Sequence, residues 1–306
     1  MIQFYRGSTG KIASLLRKFF ERAALKLYRM RAYPLIFTVV LYLRQFFQFL
    51  EVHKRLPIRP NTLFNDFLFQ LKAGSELELP LRKFITDKEF AKIYVEKKLG
   101  AGTTPVTVCI LRTLEEVETY LPATYPAVIK PTHSSGKIVL AFSKSDYDKA
   151  KKTIKYFLKE DYFLEDLEKN YANLEKKIIV ETYIDDTFAI EGSVHCMRGE
   201  PKIISLIDRK TKERQSFDAN KSPLGVSLGY PLNAFEPKSW GFLNSLLKSS
   251  RILSGEFSYI RVDFYTDGER VLFGELTNLP AGGIGQFSPA GGEKKFSEVF
   301  FNSWQK

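Results

Sequence analysis

The stretch Arg261-Val-Asp-Phe-Tyr-Thr-Asp-Gly-Glu-Arg-Val-Leu-Phe-Gly-Glu275-Leu-Thr-Asn278 decides the fold of this 306-residue chain. Two runs of β-type residues, 259–265 and 270–276, flank a Thr-Asp-Gly turn. Apolar and β-branched runs that are separated by a short turn containing glycine are typical of a β-hairpin. The sequence therefore predicts two antiparallel strands here.

The predicted hairpin can bring two acidic side chains together. Alternate residues of a strand face the same way, so Arg261 and Asp263 share a face of the first strand, and Phe273 and Glu275 share a face of the second. Two carboxylates inside an apolar sheet are costly to bury unless a cation neutralises them. Magnesium on nucleotide phosphates is a suitable cation, because it binds one or two carboxylates together with phosphate oxygens. A solvated hairpin whose acidic side chains face water is the alternative, and spacing alone leaves both interpretations open.

The composition is that of a globular protein with one large or two moderate domains. Hydrophobic residues make up 44% of the chain and charged residues 26%, which is ordinary for a folded protein. Cys109 and Cys196 lie far apart, so neither a disulfide framework nor a zinc site is expected. Charges interrupt the apolar residues near the N-terminus, and there is no small-residue cleavage site. We therefore predict no signal peptide, and expect a reducing, cytoplasmic setting.

Positive charge is concentrated at the N-terminus. Residues 1–55 contain eleven Lys and Arg residues against two acidic residues, a balance of +9 within a net charge of +11 for the whole chain. The rest of the chain is nearly neutral. A nucleic-acid-binding protein needs a basic face on its folded body, so no nucleic-acid partner is predicted.

Residues 11–31 predict a basic amphipathic helix. The apolar residues at helical spacing are Ile12, Leu15, Leu16, Phe19, Ala23, Leu27 and Met30. Lys and Arg residues fill much of the remainder. Such a helix can lie in the headgroup region of an anionic membrane, or it can pack on its own domain or on a partner, and the sequence leaves these options open.

Residues 35–43 are an uninterrupted apolar run of nine, which is too short to span a bilayer. Counting onward across Arg44 to Leu50 gives a segment of spanning length, but an arginine within hydrocarbon is costly. The sequence favours a buried or interfacial helix here. Residues 11–50 together are the predicted contact with a membrane surface.

Helices and strands alternate in the body of the chain, which predicts an α+β or α/β fold. Residues 61–72 predict a capped helix, and the capping box Thr86-Asp-Lys-Glu89 predicts the start of another. Strands are predicted at 105–111 and 127–130. Residues 161–177 are charged and aromatic, which predicts a mobile, mainly helical segment.

A loop of small residues follows the strand that ends at Lys130, with the sequence Lys130-Pro-Thr-His-Ser-Ser-Gly-Lys137. Small residues let backbone N–H groups approach phosphate closely, and Lys130 can meet phosphate as a point charge. The glycine spacing and the Lys-Ser/Thr ending of a P-loop are absent. An ordinary β-hairpin with an exposed lysine fits the same residues. His133 is either a loop histidine without a role or a group near a reacting phosphate.

Several short motifs occur in a fixed order along the chain. They are Asp87-Lys88, Val128-Ile-Lys130-Pro-Thr-His133-Ser-Ser-Gly136, Val180-Glu181-Thr-Tyr-Ile184, Asp208-Arg209, Arg214, Phe217-Asp218, Arg261-Val-Asp263-Phe-Tyr and Phe273-Gly-Glu275-Leu-Thr277. The ordered set, from about residue 61 to 289, resembles the ATP-grasp superfamily, and within it the TupA-like branch named for teichuronopeptide biosynthesis. It is the order of the motifs, more than any single one, that carries the resemblance.

The resemblance implies an α+β protein with the ATP-grasp fold, in which two α+β subdomains clasp ATP, preceded by a helical N-terminal extension. The implied domains are the extension at 1–55, an N-terminal subdomain at 56–125, and the ATP-grasp subdomains with the nucleotide and metal site at 126–306. The implied cofactors are ATP and Mg²⁺ or Mn²⁺.

The resemblance also implies roles for individual residues. The residues implied for nucleotide binding are Lys88, Lys130, Ser134, Ser135, Gly136, Glu181, Tyr183, Ile184 and Glu191. The residues implied for catalysis are Lys130, Arg261, His133 and Arg209, and those implied for an acidic substrate are Arg209 and Arg214. The implied metal ligands are Asp263, Glu275 and Thr277. Many ATP-grasp enzymes carry Asn where this chain has Thr277, and Asn278 is out of register for that role.

The implied function is a carbon–nitrogen ligase, in which a substrate carboxylate attacks the γ-phosphate of ATP and an amine then displaces phosphate to leave an amide. The implied substrates are a glycan or glycan-lipid of the cell envelope, such as a uronic acid, and an amino acid or amine. The alternatives are an ATP-grasp kinase that phosphorylates a glycan, and a membrane-associated protein that binds nucleotide or glycan without catalysis. The expected location is the cytoplasm, with peripheral attachment to the inner face of the cytoplasmic membrane left open.

Overall fold

The computed structural model describes residues 5–30, 34–233 and 235–302, and for residues 5–9 it describes the backbone alone. The helices of these residues are α1 (Tyr5–Met30), α2 (Pro34–His53), α3 (Phe64–Ala73), α4 (Pro80–Thr86), α5 (Lys88–Leu99), α6 (Leu114–Thr119), α7 (Lys144–Lys159), α8 (Phe163–Asp166), α9 (Leu243–Ser254) and α10 (Gly292–Phe301). The strands are β1 (Thr107–Leu111), β2 (Ala127–Pro131), β3 (Val139–Ala141), β4 (Ile178–Thr182), β5 (Ile190–Met197), β6 (Glu200–Asp208), β7 (Arg214–Phe217), β8 (Ser227–Leu228), β9 (Tyr259–Thr266), β10 (Val271–Thr277) and β11 (Phe287–Ser288). Short 3₁₀ turns occur at Glu76–Glu78, Lys169–Tyr171 and Pro280–Gly283.

The N-terminal helices α1 and α2 form an antiparallel pair that packs on the body through one face. Leu41 of α2 and Ala24 of α1 are fully buried in a cluster with Phe163 of α8. Arg44 is buried and donates a hydrogen bond to the carbonyl oxygen of Asp166 at 3.1 Å. The prediction of a helix over 11–31 is therefore confirmed up to Met30, and residue 31 lies outside the described residues.

The helix α2 is longer than the apolar run in the sequence. Within the described residues it is the one helix whose length and composition would allow it to cross a membrane, and 28% of its most apolar stretch is buried in the protein. Arg44 does not interrupt it, because the arginine faces the body and its guanidinium finds the Gln48 side chain and a main-chain oxygen as partners.

For two helices, the N-terminal cap predicted from the sequence is wrong. The helix predicted over 61–72 begins at Phe64, and its N-cap, Leu63, makes no side-chain hydrogen bond. The predicted capping box at Thr86 is not formed, because the Thr86 hydroxyl donates to the carbonyl oxygen of Arg82 at the end of α4. Asp87 caps α5 instead, and its side chain accepts from the N–H of Glu89 at 2.9 Å.

The first sheet has four antiparallel strands in the order β1-β4-β2-β3. Its apolar face packs on α6 and α7 in a core that includes Ile129, Tyr147, Ile154 and Val180. The strand β1 precedes the predicted domain boundary at residues 125 and 126, and it pairs with β4, which follows that boundary.

The second sheet has five antiparallel strands in the order β10-β9-β5-β6-β7. The hairpin of β5 and β6 turns at Arg198 and Gly199, which both have positive φ, as a tight two-residue turn requires. One face of the sheet buries apolar side chains against α5 and α9, and α3 and α10 cover part of the opposite face. The remainder of that opposite face is polar and faces the first sheet.

The predicted β9–β10 hairpin is present, with one correction to its faces. Glu275 pairs with Asp263 in the register, but the strand is irregular between Phe273 and Glu275. A Cβ on Gly274 would lie 3.0 Å from the carbonyl oxygen of Asp263, so a side chain has no room at this bulge. The bulge reverses the alternation, so that Phe273 packs in the core and does not share a face with Glu275.

Candidate active site

A cleft of about 660 Å³ lies between the two sheets. Residues of β2 and β4 line it on one side, and residues of β5, β9 and β10 line it on the other. The helix α5, the loop between β2 and β3, residues 162–171, the glycine-rich loop after β10 and residues 228–230 also contribute to the lining.

Two lysines hold the carboxylate of Glu181 on the first-sheet side of the cleft. Lys130 Nζ lies 2.9 Å from Glu181 Oε2, and Lys92 Nζ lies 2.7 Å from Oε1. Burial raises the pKa of Glu181, but Lys130 and Lys92 outweigh it and leave this pKa below its ordinary value. The carboxylate therefore stays ionised and fixes Lys130 as a positioned cation at the end of β2.

Lys88 enters the cleft from the first turn of α5. Its ammonium group donates to the carbonyl oxygen of Ser134 in the loop between β2 and β3. Asp87 ties this loop to the helix, because its carboxylate also accepts a hydrogen bond from the Thr132 hydroxyl at 3.0 Å. Burial lowers the pKa of Lys88, although Glu275 across the cleft raises it.

The loop between β2 and β3 presents its backbone to the cleft through Ser135 and Gly136. Gly136 has φ +71°, and no atom lies within 4 Å of the position its Cβ would take. The backbone conformation, not crowding, therefore favours glycine at this position. Ser134 is buried, does not line the cleft, and its Oγ has no hydrogen-bond partner among the described residues.

The acid pair predicted from the sequence converges on the opposite side. Arg261 binds Asp263 through two hydrogen bonds, from Nε to Oδ1 at 2.7 Å and from Nη2 to Oδ2 at 2.5 Å. The hydroxyl of Thr277 lies 3.2 Å from Asp263 Oδ2 and 2.9 Å from Glu275 Oε1. Three oxygen-bearing side chains thus meet beside one guanidinium.

The electrostatics of this face depend on the cations around it. Desolvation raises the pKa of Glu275, but Lys88, Arg261 and the Thr277 hydroxyl together leave it below its ordinary value. Glu191, on the neighbouring strand β5, has the opposite environment, because burial and the negative charge of Asp263 raise its pKa. The cleft therefore holds Glu275 ionised and makes the ionised form of Glu191 costly.

Arg214 adds a second arginine to the lining of the cleft, from the start of the edge strand β7. Its guanidinium lies over the ring of Tyr230, 3.8 Å from the ring centre, and donates to the carbonyl oxygen of Leu228 at 3.4 Å. Tyr230 is exposed and lines the cleft. This pair presents a cation and an aromatic surface to a bound molecule.

His133 does not line the cleft. It is buried, its Nδ1 accepts from the main-chain N–H of Lys177 at 3.3 Å, and it lines a separate cavity of about 280 Å³. Burial and the nearby charge of Lys88 lower the pKa of His133. The catalytic role predicted for His133 would require a place in the cleft, which this residue does not have.

Arg209, Tyr183 and Ile184 also lie outside the lining of the cleft. The guanidinium of Arg209 donates to the carbonyl oxygens of Phe188 at 2.7 Å and Asp185 at 3.2 Å, and its carbon lies 5.2 Å from the ring centre of Tyr265. Arg209 thus fixes the connection from β4 to β5 instead of pointing at a substrate. Tyr183 donates its hydroxyl hydrogen bond to Asp186.

A sequence model of one protein family, described as TupA-like ATPgrasp, matches residues 69–300. This match covers most of the chain and includes every residue of the cleft described above. The chain belongs to the TupA-like ATP-grasp family. The fold and family expected from the sequence are thereby confirmed.

Solved ATP-grasp structures resemble the chain at low identity. The D-alanine–D-alanine ligase of Bacillus anthracis complexed with ATP shares 15% identity with a TM-score of 0.42, over 64% of this chain and 54% of that one. The L-amino acid ligase of Bacillus licheniformis shares 17% identity with a TM-score of 0.44, over 72% of this chain and 51% of that one. The chain thus spans about half the length of these proteins. No curated protein matches it, and the assignment rests on the family model.

The side chains that meet beside Arg261 fit the divalent cation that ATP-grasp ligases typically bind with ATP. Asp263, Glu275 and Thr277 offer hard oxygen donors, which Mg²⁺ and Mn²⁺ prefer. Within the described residues no group of three or more His, Cys, Asp and Glu side chains could hold a metal ion. Two carboxylates and one hydroxyl are fewer ligands than the six that Mg²⁺ takes, so they leave positions for phosphate or water oxygens.

The cleft of this ATP-grasp protein contains functional candidates that the sequence predictions omitted. Lys92 lies one helical turn beyond Lys88 on α5, and this spacing of four residues was a usable signal. Glu168 and Asn170 come from a segment without periodicity, so no pattern indicated them. Asn278, which is out of register as a metal ligand, bonds Thr86 and Arg82.

Proposed function

We propose that this protein is an ATP-dependent carboxylate–amine ligase that acts through an acylphosphate. The observation that carries the proposal is the pair of facing walls, with Lys88 and Lys130 on one side and Asp263, Glu275 and Arg261 on the other. This arrangement places cations and metal-binding oxygens around one volume, as phosphoryl transfer requires.

The chain's own residues contribute positioning and charge. Lys88 and Lys130 bind phosphate oxygens of ATP, and the salt bridge to Glu181 keeps Lys130 in place. Arg261 stabilises the charge on the phosphate as it is transferred to the substrate carboxylate. Arg214 orients that carboxylate from β7, at the other edge of the same sheet. The small residues of the β2–β3 loop close over the phosphates and keep water from the reactive product.

Asp263, Glu275 and Thr277 would hold Mg²⁺, which when bound neutralises phosphate charge and so reduces repulsion between ATP and the substrate carboxylate. In this structure the guanidinium of Arg261 donates two hydrogen bonds to the Asp263 carboxylate. If Asp263 held the ion, the guanidinium of Arg261 would be available to the phosphate.

The substrate class that we propose is a uronic acid of a cell-envelope glycan, joined to an amino acid. Family membership supports this choice. The exposed Tyr230 beside Arg214 also supports it, since an aromatic surface next to a guanidinium suits a sugar ring that carries a carboxylate.

Release of ADP from ATP tests this function, with glucuronate and galacturonate oligomers offered together with each standard amino acid. The proposal expects ADP release that requires both partners, and a product whose mass equals their sum minus water. Hydroxylamine in place of the amino acid should give a hydroxamate. ADP release with a phosphorylated glycan and no hydroxamate would instead establish the kinase.

We also propose that the α1–α2 pair attaches the enzyme to the inner face of the cytoplasmic membrane. One exposed stripe of α1 combines cations with apolar side chains: Lys11, Ile12, Leu15, Lys18, Phe19, Arg22, Lys26, Arg29 and Met30. On α2, Leu35, Ile36 and Val39 are more than half exposed. Cations interleaved with exposed apolar residues fit the headgroup region of anionic lipid.

A further inference from the structure

One part of the cleft is lined by residues to which no role in ATP binding is assigned. Residues 162–171 line it together with the turn Pro280–Gly282. Two of its polar side chains are almost completely buried, with Glu168 6% exposed and Asn170 1% exposed. Asp166, which is half-buried, lines the same part.

The amide of Asn170 has a fixed orientation. The Thr86 hydroxyl donates its single hydrogen to the carbonyl oxygen of Arg82 at 2.7 Å, so it can only accept from its other neighbours. Asn278 and Asn170 must therefore both present their NH₂ groups to Thr86, at 2.9 and 3.1 Å. This leaves Asn170 Oδ1 buried and without a hydrogen-bond partner among the described residues. A buried acceptor of this kind calls for a donor.

Glu168 is a second acceptor without a donor. From the described part of the chain, no hydrogen bond or ion pair within 4.0 Å reaches its carboxylate, and Lys72, the nearest source of positive charge, donates to the carbonyl oxygen of Gly282 at 2.7 Å. A Cβ built on Gly282 would lie 3.5 Å from Glu168 Oε1, which places the carboxylate against this turn. A buried carboxylate without hydrogen bonds is costly, so a ligand that donates to it would stabilise the site.

This part of the cleft adjoins the metal-binding side. The turn Pro280–Gly282 follows directly from Thr277 at the end of β10. Tyr171 lines the same cleft as Glu168 and Glu275, and desolvation together with the charges of both carboxylates raises its pKa. A molecule held by Glu168 would therefore share one cleft with the proposed phosphate and metal site.

We propose that Glu168, Asp166 and Asn170 Oδ1 form the subsite for the amine substrate, which binds there as an ammonium ion. The inference rests on the proposed ligase function. A primary ammonium supplies three hydrogen-bond donors and one positive charge, which matches two carboxylates and an amide oxygen. A hydroxyl group supplies one donor and no charge, so the site discriminates against an alcohol.

Glu168 also accepts the proton that the ammonium loses. The neutral nitrogen then attacks the carbonyl carbon of the acylphosphate, the C–N bond forms, and the C–O bond to phosphate breaks with its electron pair leaving on phosphate. The departing phosphate takes the second proton that the nitrogen loses as it becomes the amide N–H. Burial raises the pKa of Glu168 to about 7, which suits a base at neutral pH. The charged and titratable groups that face it are Lys72 on α3, Arg44 on α2, Asp166 on α8, and the flanking Tyr162 and Tyr171.

The substitution Glu168→Gln separates the two half-reactions. We expect hydroxamate formation with hydroxylamine to stay within about threefold of the unaltered enzyme, because hydroxylamine is uncharged at neutral pH and needs no base. Amide formation with the best amino acid of the screen should fall by about 10²-fold or more. The variant's amide rate should then rise about tenfold per pH unit as the free amine becomes available, which a merely structural role would not produce.

The matched control is Glu175→Gln, an exposed carboxylate from the same segment, which should leave both products unchanged. If Glu168→Gln makes amide at the normal rate, the amine assignment is wrong. If a folded Glu168→Gln loses hydroxamate and amide together, Glu168 belongs to the phosphoryl transfer and the assignment is also wrong. If the variant does not fold, Asp166→Asn takes its place, and an amide rate unchanged in that variant overturns the assignment. Hydroxamate absent from the unaltered enzyme with every uronate would contradict the ligase function, and the amine subsite with it.

Discussion

Arg261 and Asp263 are joined by two hydrogen bonds, at 2.7 and 2.5 Å, along β9 on one wall of the cleft. This pair neutralises a carboxylate that is 3% exposed, so the site is stable before any metal arrives. The positive charge of Arg261 thus offsets the charge of Asp263 where, under the proposed function, a divalent cation would bind with the nucleotide.

The variant Arg261→Met tests this pairing. Without the guanidinium, Asp263 and Glu275 repel each other, and we expect the free energy of unfolding to fall by about 2 kcal/mol, less than for a fully buried pair because Arg261 is partly exposed. Mg²⁺ with a non-hydrolysable ATP analogue should restore most of the loss. Chemical denaturation with and without both ligands measures this. If the ligands did not restore the lost free energy of unfolding, the idea that Mg²⁺ can replace the charge of Arg261 beside Asp263 would be contradicted.

Glu181→Gln tests the clamp of Lys92 and Lys130. The pKa of Glu181 is lower in the folded protein than its ordinary value of 4.5, so the ionised carboxylate stabilises the fold above that pH, and the contribution is lost as the pH falls through the folded pKa. The difference in unfolding free energy between the two proteins should therefore be largest above pH ~5 and shrink below it. Urea unfolding across this range measures the difference. A difference that grows on acidification would show that the lysines do not stabilise the charge.

Arg209→Ala separates a structural role from the catalytic role that the sequence predicted. Because Arg209 bonds the carbonyl oxygens of residues 185 and 188, its loss should loosen the connection from β4 to β5 and raise the KM for ATP. We expect kcat at saturating ATP to stay within about threefold. A fall in kcat of about 10²-fold at unchanged KM would instead support the catalytic role that the sequence predicted for Arg209.

The exposed stripe of α1 can be tested with vesicles. Replacing Lys18, Arg22 and Lys26 with Glu should abolish sedimentation with vesicles of phosphatidylglycerol and phosphatidylcholine, because attraction to anionic lipid contributes about 1 kcal/mol for each basic residue. The control replaces Lys210, Lys212 and Lys221, which lie far along the chain from α1, and should bind normally. Binding of the α1 variant equal to that of the unaltered protein would contradict the membrane proposal.

The hairpin and its acid pair were predictable because strand alternation and a short turn are local signals. The bulge at Gly274 was not, since it depends on the approach of the Asp263 backbone across the strand pair. The cap at Asp87 was placed one residue early, because the Thr86 hydroxyl is used by α4. Both errors come from contacts that the local pattern does not contain.

The positions of Glu168 and Asn170 in the cleft could not be predicted from the sequence. The predicted mobile helix over 161–177 is instead a short helix and a 3₁₀ turn, and most of its residues from 162 to 170 are buried. The α1–α2 pair holds it through Phe163 and the carbonyl oxygen of Asp166. Its side chains enter the cleft because of this long-range packing, which no spacing along the chain reveals.

The binding of a nucleotide-bound metal ion by Asp263 and Glu275 is tested most directly by measuring nucleotide affinity against Mg²⁺ concentration. Calorimetric titration of a non-hydrolysable ATP analogue into the unaltered protein should show affinity that tightens at least tenfold as Mg²⁺ is raised to saturation. In the double variant Asp263→Asn, Glu275→Gln this dependence should vanish, while the double variant's thermal unfolding stays cooperative. Equal tightening by Mg²⁺ in both proteins would contradict the account.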